Sequence, residues 1–443
     1  MEKKMKSSGK TQSKDEILNA LETVQMLCGK GDIKGAYDLY ISKAALENKG
    51  NSGFNVFRNF PALAEGQKCM TAFIGSDDLE KNVKEQIGLP AFGALINHMG
   101  LYEHQLGNLS AAKEWHLKSV EFEKAQGNMS GNITALHELS LVECAMGNID
   151  ESKKIIAEAM SLPHNNNEIS LMNEYSYKAY YDFLSGDLDS ALLNFGKSLF
   201  FENRDKDTKK ESSYGLAGLQ CAEFFLRTKS LEAFKKVNAF NLDFCRKKGW
   251  HLYRGMCQMM QGWYEISCNL LKDAEKSLQM AEPIIGTSGA LEQICRLDIM
   301  RARLNGVEKK YEEGTDKINQ TLPAIVDNGF RLLEADALIL RANINLTRYK
   351  LDIVPNKSLL ENVGKDGHAA LKIASLSKYA WARVEALELL SLYYKIKYPP
   401  QQHPDINEEK YRHYEKEASE MRRKLVVSYQ SVKKLKALEE QGV

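Results

Sequence analysis

The stretch LINHMGLYEHQLGNLSAAKEWH at residues 95–116 contains the pattern that decides the fold. An amphipathic run of helical length ends there at Gly107, and a second such run begins at Leu109. The Gly-Asn or Gly-Asp turn between the two runs returns at residues 147–148 and 186–187, a period of about 40 residues. Glycine favours the left-handed backbone that ends a helix, and Asn or Asp can cap the next one. This period predicts an array of helix pairs.

A hydrophobic anchor follows each turn, and its register continues through most of the chain. The anchors are Leu109, Ile149, Leu188, Leu231, Leu271, Tyr311 and Leu351. Nine residues before each anchor stands a small residue: Gly100, Ser140, Ala179, Ala222, Gly262, Ala302 and Ala342. Side chains at a helix contact set how closely two helices approach, so the register predicts one close crossing per repeat. After the last anchor, the second helix is expected to resume only at His368.

The register divides the chain into four predicted segments. Residues 1–14 form a Lys-rich tail expected to be disordered, and residues 15–85 form irregular N-terminal helical repeats. Residues 86–350 form the regular superhelix, and residues 351–443 form divergent C-terminal repeats with a capping helix over about 405–440. No stretch shows the alternation typical of strands, so the predicted fold class is all-α.

These features resemble the tetratricopeptide repeat (TPR). The residues that carry the likeness are Met99-Gly100 and Gln261-Gly262 within first helices, and Ala112, Ala191 and Ala274 three positions after an anchor. More narrowly, residues 31–40, 95–116, 213–227 and 328–346 resemble the C-terminal sensor repeats of bacterial signal-transduction NTPases of the NACHT/STAND class. The resemblance implies a right-handed α-solenoid of TPR-like pairs that holds a partner in its concave groove.

The amino-acid composition limits which partners and which cellular compartment are expected. The chain has 60 Lys and Arg against 59 Asp and Glu, so its formal charge of +1 does not favour nucleic acid except through a partner complex. No apolar run is long enough for a membrane span, and no apolar stretch follows the N-terminal lysines as in a secretory signal. The eight cysteines have no framework spacing and are expected to be reduced thiols of a cytoplasmic protein.

Catalytic and metal-binding motifs are missing from the sequence. The nine histidines include no H-E-x-x-H, and neither G-x-S-x-G nor a Gly-rich dinucleotide loop occurs. The segment at residues 8–11 ends like a phosphate-binding loop, but Lys4 stands where the loop requires glycine. We therefore expect no enzyme activity, no cofactor and no catalytic or metal site. An NTPase or protease effector of the resembled class would act in trans.

The resemblance places partner contacts on the first helix of each pair. By register, these groove positions are Asn97, Leu101, His104, His137, Leu141, Ser176, Tyr180, Phe183, Glu223, Arg227, Met259 and Trp263. The family's clamp for a C-terminal carboxylate uses basic residues, whereas the equivalent positions here are Asn97, His137, Ser176, Leu219, Met259, Ile299 and Ile339. Chaperone-tail binding of that kind is not expected. Aromatic residues crowd residues 175–181 and 250–264, where they serve either the core or a partner contact.

The resulting hypothesis is a non-enzymatic sensor or adaptor that binds a protein or peptide in its groove. The resemblance implies a role in bacterial signalling, including antiviral defence or stress. Two alternatives stay open: a peptide-sensing regulator, and an RNA-binding helical solenoid. The near-zero charge and the apolar groove positions argue against RNA.

Overall fold

The computed structural model describes residues 14–45, 47–48, 51–52, 62–164, 168–204, 215–352, 356–399 and 404–427. Most of the predicted tail lies outside these residues. The predicted capping helix ends at Lys424, short of the expected residue 440, and the chain beyond Val427 lies outside the described residues. Twenty α-helices occupy the described residues, together with a π-helical turn at Tyr40–Ala45. The one strand pairing described is a two-residue antiparallel ladder between Glu47–Asn48 and Asn51–Ser52. The all-α fold class is confirmed.

The helices pack as successive pairs. The four N-terminal helices are α1 Lys14–Gly29, α2 Ile33–Leu39, α3 Leu63–Ile74 and α4 Asp77–Ile87. The first helices of the regular pairs are α5 Leu89–Leu106, α7 Met129–Ala145, α9 Glu168–Leu184, α11 Gly215–Arg227, α13 His251–Ser267, α15 Leu291–Val307, α17 Arg331–Leu351 and α19 Ala380–Lys397. Their second helices are α6 Leu109–Ala125, α8 Ile149–Ser161, α10 Leu188–Arg204, α12 Leu231–Lys248, α14 Leu271–Ile285, α16 Tyr311–Asp327, α18 Lys357–Leu376 and α20 Pro404–Lys424. Each first helix also contacts the next first helix, so these helices form one continuous layer.

The recurrent small residues lie at the predicted helix crossings, and all seven are buried. A Cβ added to Gly262 would lie 2.8 Å from Cδ2 of Leu278 on the second helix of the same pair. A Cβ on Gly100 would lie 2.6 Å from the ring of His116, which has the equivalent position in its own pair. The small residue therefore admits a side chain of the partner helix, as the register predicted.

The left-handed turn between paired helices is also found in repeats that have no glycine at the turn position. Gly107, Gly147 and Gly186 have φ of 95°, 85° and 91°. In the following repeats the same turn position is taken by Lys229, Asn269 and Lys309, with φ of 57°, 59° and 66°. Left-handed backbone is costly for residues with a Cβ, so packing of the flanking helices holds these turns in place.

The asparagines after the turn glycines do not all cap the next helix as expected. Asn108 makes no side-chain cap bond, and its Nδ2 donates instead to Glu103 Oε2 at 2.7 Å. Asn148 donates in the same way to Glu143 at 2.7 Å. The amide thus ties the turn to the helix before it, because the buried carboxylate there needs a donor.

The register is wrong at its last anchor. Helix α17 continues through to Leu351, whose side chain is exposed, and α18 begins at Lys357 rather than at His368. Neither Tyr349 nor Lys350 takes the left-handed backbone that ends the preceding first helices, so α17 continues past them to Leu351. The inserted residues therefore lengthen the second helix of this pair.

The solenoid coils back on itself. Helices α5 and α7 contact α15 and α17, five pairs further along the chain. The turn glycines lie at this contact: a Cβ on Gly147 would be 2.6 Å from Oγ of Ser377, and one on Gly186 would be 3.0 Å from Cβ of Ala380. The indole nitrogen of Trp381 donates to the backbone oxygen of Phe183 at 3.1 Å. We call this contact between successive coils the seam.

Among the described residues, none of the helices combines the length and the apolar character needed to cross a bilayer.

Candidate functional site

A small cavity lies between first helices of the inner layer. Helices α11, α13, α15 and α17 line it with Arg227, Met259, Met260, Trp263, Arg296, Ile299, Met300, Arg303, Leu333 and Asp336. Its volume is about 30 Å³, enough for about two water molecules. The first helices therefore enclose the lumen of the coil, and its wall combines apolar with charged side chains.

Arg227 is the centre of the polar network in this wall. Its Nη2 donates to Asp336 Oδ2 at 2.9 Å, and its Nε donates to Glu223 Oε1 at 3.2 Å. Glu385 lies 3.9 Å from Nη1, and the Tyr379 hydroxyl donates to Asp336 at 3.1 Å. Burial by itself would lower the pKa of Arg227, but the surrounding carboxylates raise it well above its ordinary value. This arginine joins helices α11, α17 and α19 across the lumen.

Aromatic side chains complete the wall. The Tyr180 hydroxyl donates to Glu223 Oε2 at 3.0 Å, and burial raises the pKa of this tyrosine well above its ordinary value. The guanidinium carbons of Arg227 and Arg303 lie 5.2 Å and 5.6 Å from the centroid of the Trp263 ring. Both distances are typical of cation–π contacts. Trp263 therefore contributes a face that already attracts positive charge.

We call these side chains the lumen cluster: Tyr180, Glu223, Arg227, Trp263, Arg296, Arg303, Asp336, Tyr379 and Glu385. Three arginines face three carboxylates, so the formal charges balance. Arg296 also pairs with Glu292 at 2.8 Å, which lies outside the cluster. Burial raises the pKa of Glu385, although its side chain is 37% exposed, and lowers the pKa of Arg303.

The predicted groove residues fall into two groups. Tyr180, Glu223, Arg227, Met259 and Trp263 belong to the lumen wall. The others lie within or beside the packing between helices: Asn97, Leu101, His104, His137, Leu141, Ser176 and Phe183. His137 Nε2, for example, is 3.2 Å from Oε1 of the fully buried Glu174, which also contacts His164 at 2.7 Å. A partner-binding role for all twelve positions stays a prediction.

Five members of the lumen cluster were not among the predicted residues: Arg296, Arg303, Asp336, Tyr379 and Glu385. Arg303 stands 40 residues after Trp263 in the same register, so extending the groove positions by one repeat would have found it. Asp336 and Glu385 reach the cluster through the coiling of the solenoid, which the repeat pattern does not contain.

A second concave feature lies on the outside of the coil. A cleft of about 740 Å³ is bounded by α6, α8 and the turn between α18 and α19. Most of its lysines are already paired, with Lys113 2.7 Å from Glu143 and Lys124 2.7 Å from Glu158. Its floor is a small buried cluster that includes Val120, Leu136 and Ile155. The cleft therefore offers less unsatisfied chemistry than the lumen.

No protein-family model matches the sequence, and no curated protein matches it either. The solved structures that are similar to the chain include the following two. A Rap protein complexed with competence and sporulation factor has 12% sequence identity and a TM-score of 0.49, over 78% of this chain and 99% of that one. A signal-transduction ATPase with numerous domains and a tetratricopeptide repeat sensor, from Pyrococcus horikoshii, has 13% identity and a TM-score of 0.40. That match covers 93% of this chain and 65% of the ATPase. The successive helix pairs define the class of the protein as an all-α solenoid of repeats of about 40 residues.

Proposed function

We propose that this chain is a non-enzymatic scaffold that binds a peptide, or an extended segment of a partner protein, along its lumen. The observation that carries the proposal is the lumen cluster. Charged side chains enclosed by protein stabilise a fold less than apolar packing of similar volume does. Arginine, tryptophan and tyrosine are the residues that most often dominate binding surfaces. Their collection on the inner layer favours recognition over core packing.

The dimensions of the lumen favour an extended segment over a folded domain. Successive coils touch at the seam, and the cavity that α11, α13, α15 and α17 enclose holds only about two waters. A ligand must therefore widen the coil, and a single extended chain requires the smallest opening. The balanced charge of the cluster also favours a peptide over RNA, whose phosphates would face Glu223, Asp336 and Glu385.

The role that we propose for this binding is that of a sensor or adaptor in bacterial signalling, including defence or stress, with an effector acting in trans. Opening of the seam by the bound segment would be the signal that reaches the effector. A peptide-sensing regulator uses the same lumen and differs only in the source of the segment.

The test combines peptide capture with a cross-link that closes the seam. The immobilised chain is exposed to a pool of N-acetylated, C-amidated random octapeptides, and retained peptides are identified by mass spectrometry. In the variant Gly147→Cys with Ser377→Cys, the two Cβ atoms are about 3.4 Å apart, close to the span of a disulfide. Oxidation of this variant should weaken binding at least tenfold, and reductant should restore it.

The wild-type chain treated with the same oxidant is the matched control. Retention of no peptide by the wild-type chain would refute the proposed function. Equal binding by the oxidised and reduced variant would place the binding surface outside the lumen.

A further inference from the structure

Two charged side chains of the lumen cluster have no hydrogen-bonding partner among the described residues. Arg303 on α15 makes neither a hydrogen bond nor an ion pair, and its Nε is buried. Glu385 on α19 makes no hydrogen bond, and its closest charged contact is Arg227 at 3.9 Å. Arg227 and Arg296, by contrast, are both paired with carboxylates at hydrogen-bonding distance. The lumen thus holds one unused donor group and one unused acceptor group.

Burial makes the unused donor costly. A charged group removed from water without a hydrogen-bonding partner destabilises a protein by more than a neutral one does. The Nε of Arg303 is buried, whereas the Glu385 side chain is 37% exposed. Arg303 and Glu385 attract each other, yet they do not close into an ion pair within 4 Å. A ligand that supplies an acceptor to the guanidinium and a donor to the carboxylate would relieve the cost at Arg303 and replace water at Glu385.

An extended peptide has this combination of groups. In each peptide unit the carbonyl oxygen accepts and the N–H donates, and these two groups point to opposite sides of the chain. The main chain is also neutral, which suits a cluster whose charges already balance. A ligand carboxylate would meet Glu385 and Asp336, and a ligand cation would meet Arg303 and Arg227.

We propose that Arg303 and Glu385 read the main chain of an extended segment in the lumen, the guanidinium donating to a carbonyl oxygen and the carboxylate accepting from an N–H. The residue held there has an uncharged apolar side chain, because Met259, Met300 and Leu333 line the adjacent cavity. This inference rests on the proposed function and names the chemistry of the bound segment. Recognition then depends on the main-chain groups of one peptide residue and on the apolar side chain of that residue.

The experiment uses the octapeptides retained from the capped random pool, resynthesised with a single N-methyl group at each position in turn. N-methylation removes one N–H donor without adding charge. One position should lose at least tenfold in affinity for the wild-type chain, measured by calorimetry. Glu385→Leu should bind the parent peptide at least tenfold more weakly, and N-methylation at that position should cost this variant nothing further. Glu385→Gln, which keeps an acceptor oxygen, should stay within about threefold of wild type.

Arg303→Met should also lose at least tenfold, whereas Arg301→Met is the matched control. Arg301 lies on the same helix but pairs with Glu275 and Glu282 on α14. Thermal melts of all four variants establish that they fold. If peptides bind and the Arg303 and Glu385 variants bind them as wild type does, this inference is overturned while the proposed function stands. If the pool yields no ligand, the proposed function and the inference both fall.

Discussion

Lowering the pH from 7 to 5 should destabilise the fold by about 4 kcal/mol through two buried histidines. Burial lowers the pKa of His98 from 6.5 to about 4. Burial, with His104 nearby, lowers the pKa of His116 from 6.5 to about 3. The fold therefore holds both imidazoles in the neutral form.

The sign and size of the effect follow from linkage. Because the folded-state pKa is depressed, the unfolded chain binds the protons, and stability is complete above pH 6.5 and falls as the pH drops below it. At pH 5 both folded histidines are still neutral, and the pH lies about 1.5 units below the pKa of an unfolded histidine. Each histidine therefore lowers the free energy of unfolding by about 2 kcal/mol. The loss continues until the pH reaches about 4 for His98 and about 3 for His116.

The assay is urea unfolding followed by circular dichroism at pH 7 and pH 5. His116→Met replaces the ring with an apolar side chain that does not titrate, so it should remove about 2 kcal/mol of the pH-dependent loss. His413→Met is the control, because the His413 side chain is 68% exposed and should leave the loss unchanged. Equal losses for the wild type and His116→Met would refute the reasoning.

Three further predictions concern the repeat geometry. Gly262→Val should destabilise the fold by about 1–3 kcal/mol, because its Cβ would meet Leu278; thermal melting measures the loss. Lys309→Gly should raise the melting temperature, because it relieves a left-handed strain of about 1–2 kcal/mol that exceeds the entropy cost of glycine. Trp381→Phe should remove a hydrogen bond worth about 1 kcal/mol from the seam and enlarge the radius of gyration measured by X-ray scattering.

Each of these predictions has a matched control. Gly29 lies at a helix end where an added Cβ would meet nothing within 4 Å. A loss of stability in Gly29→Val as large as that in Gly262→Val would contradict the argument that Gly262 lies at a close helix crossing. Lys310→Gly should lower the melting temperature, since that residue does not have a positive φ. Trp263 lies away from the seam. If Trp263→Phe and Trp381→Phe enlarge the radius of gyration equally, the seam hydrogen bond does not hold the coils together.

The repeat register predicted the features that local sequence controls. Helix pairs, small residues at crossings and left-handed turns each depend on residues within one period, so the sequence of a single repeat is enough to predict them. The two errors are also local. The anchor at Leu351 repeats the spacing, but no left-handed turn stands before it, and Asn108 bonds a buried carboxylate of the previous helix instead of capping the next.

The lumen cluster was predicted only in part, and the reason is geometrical. Arg227 and Asp336 are 109 residues apart, and Trp381 and Phe183 are 198 apart. Contacts of this kind depend on small rotations between pairs that add up along the solenoid, and no single repeat encodes the sum. The register nevertheless places five of its twelve groove positions on the lumen wall. Arg303 stands one period after Trp263, so the register could have predicted its position on the lumen wall. The register could not have predicted that Arg303 lacks a hydrogen-bonding partner. That lack depends on where α19 comes to lie after the solenoid coils back on itself, and this is why the residues proposed to read the main chain emerge only from the folded chain.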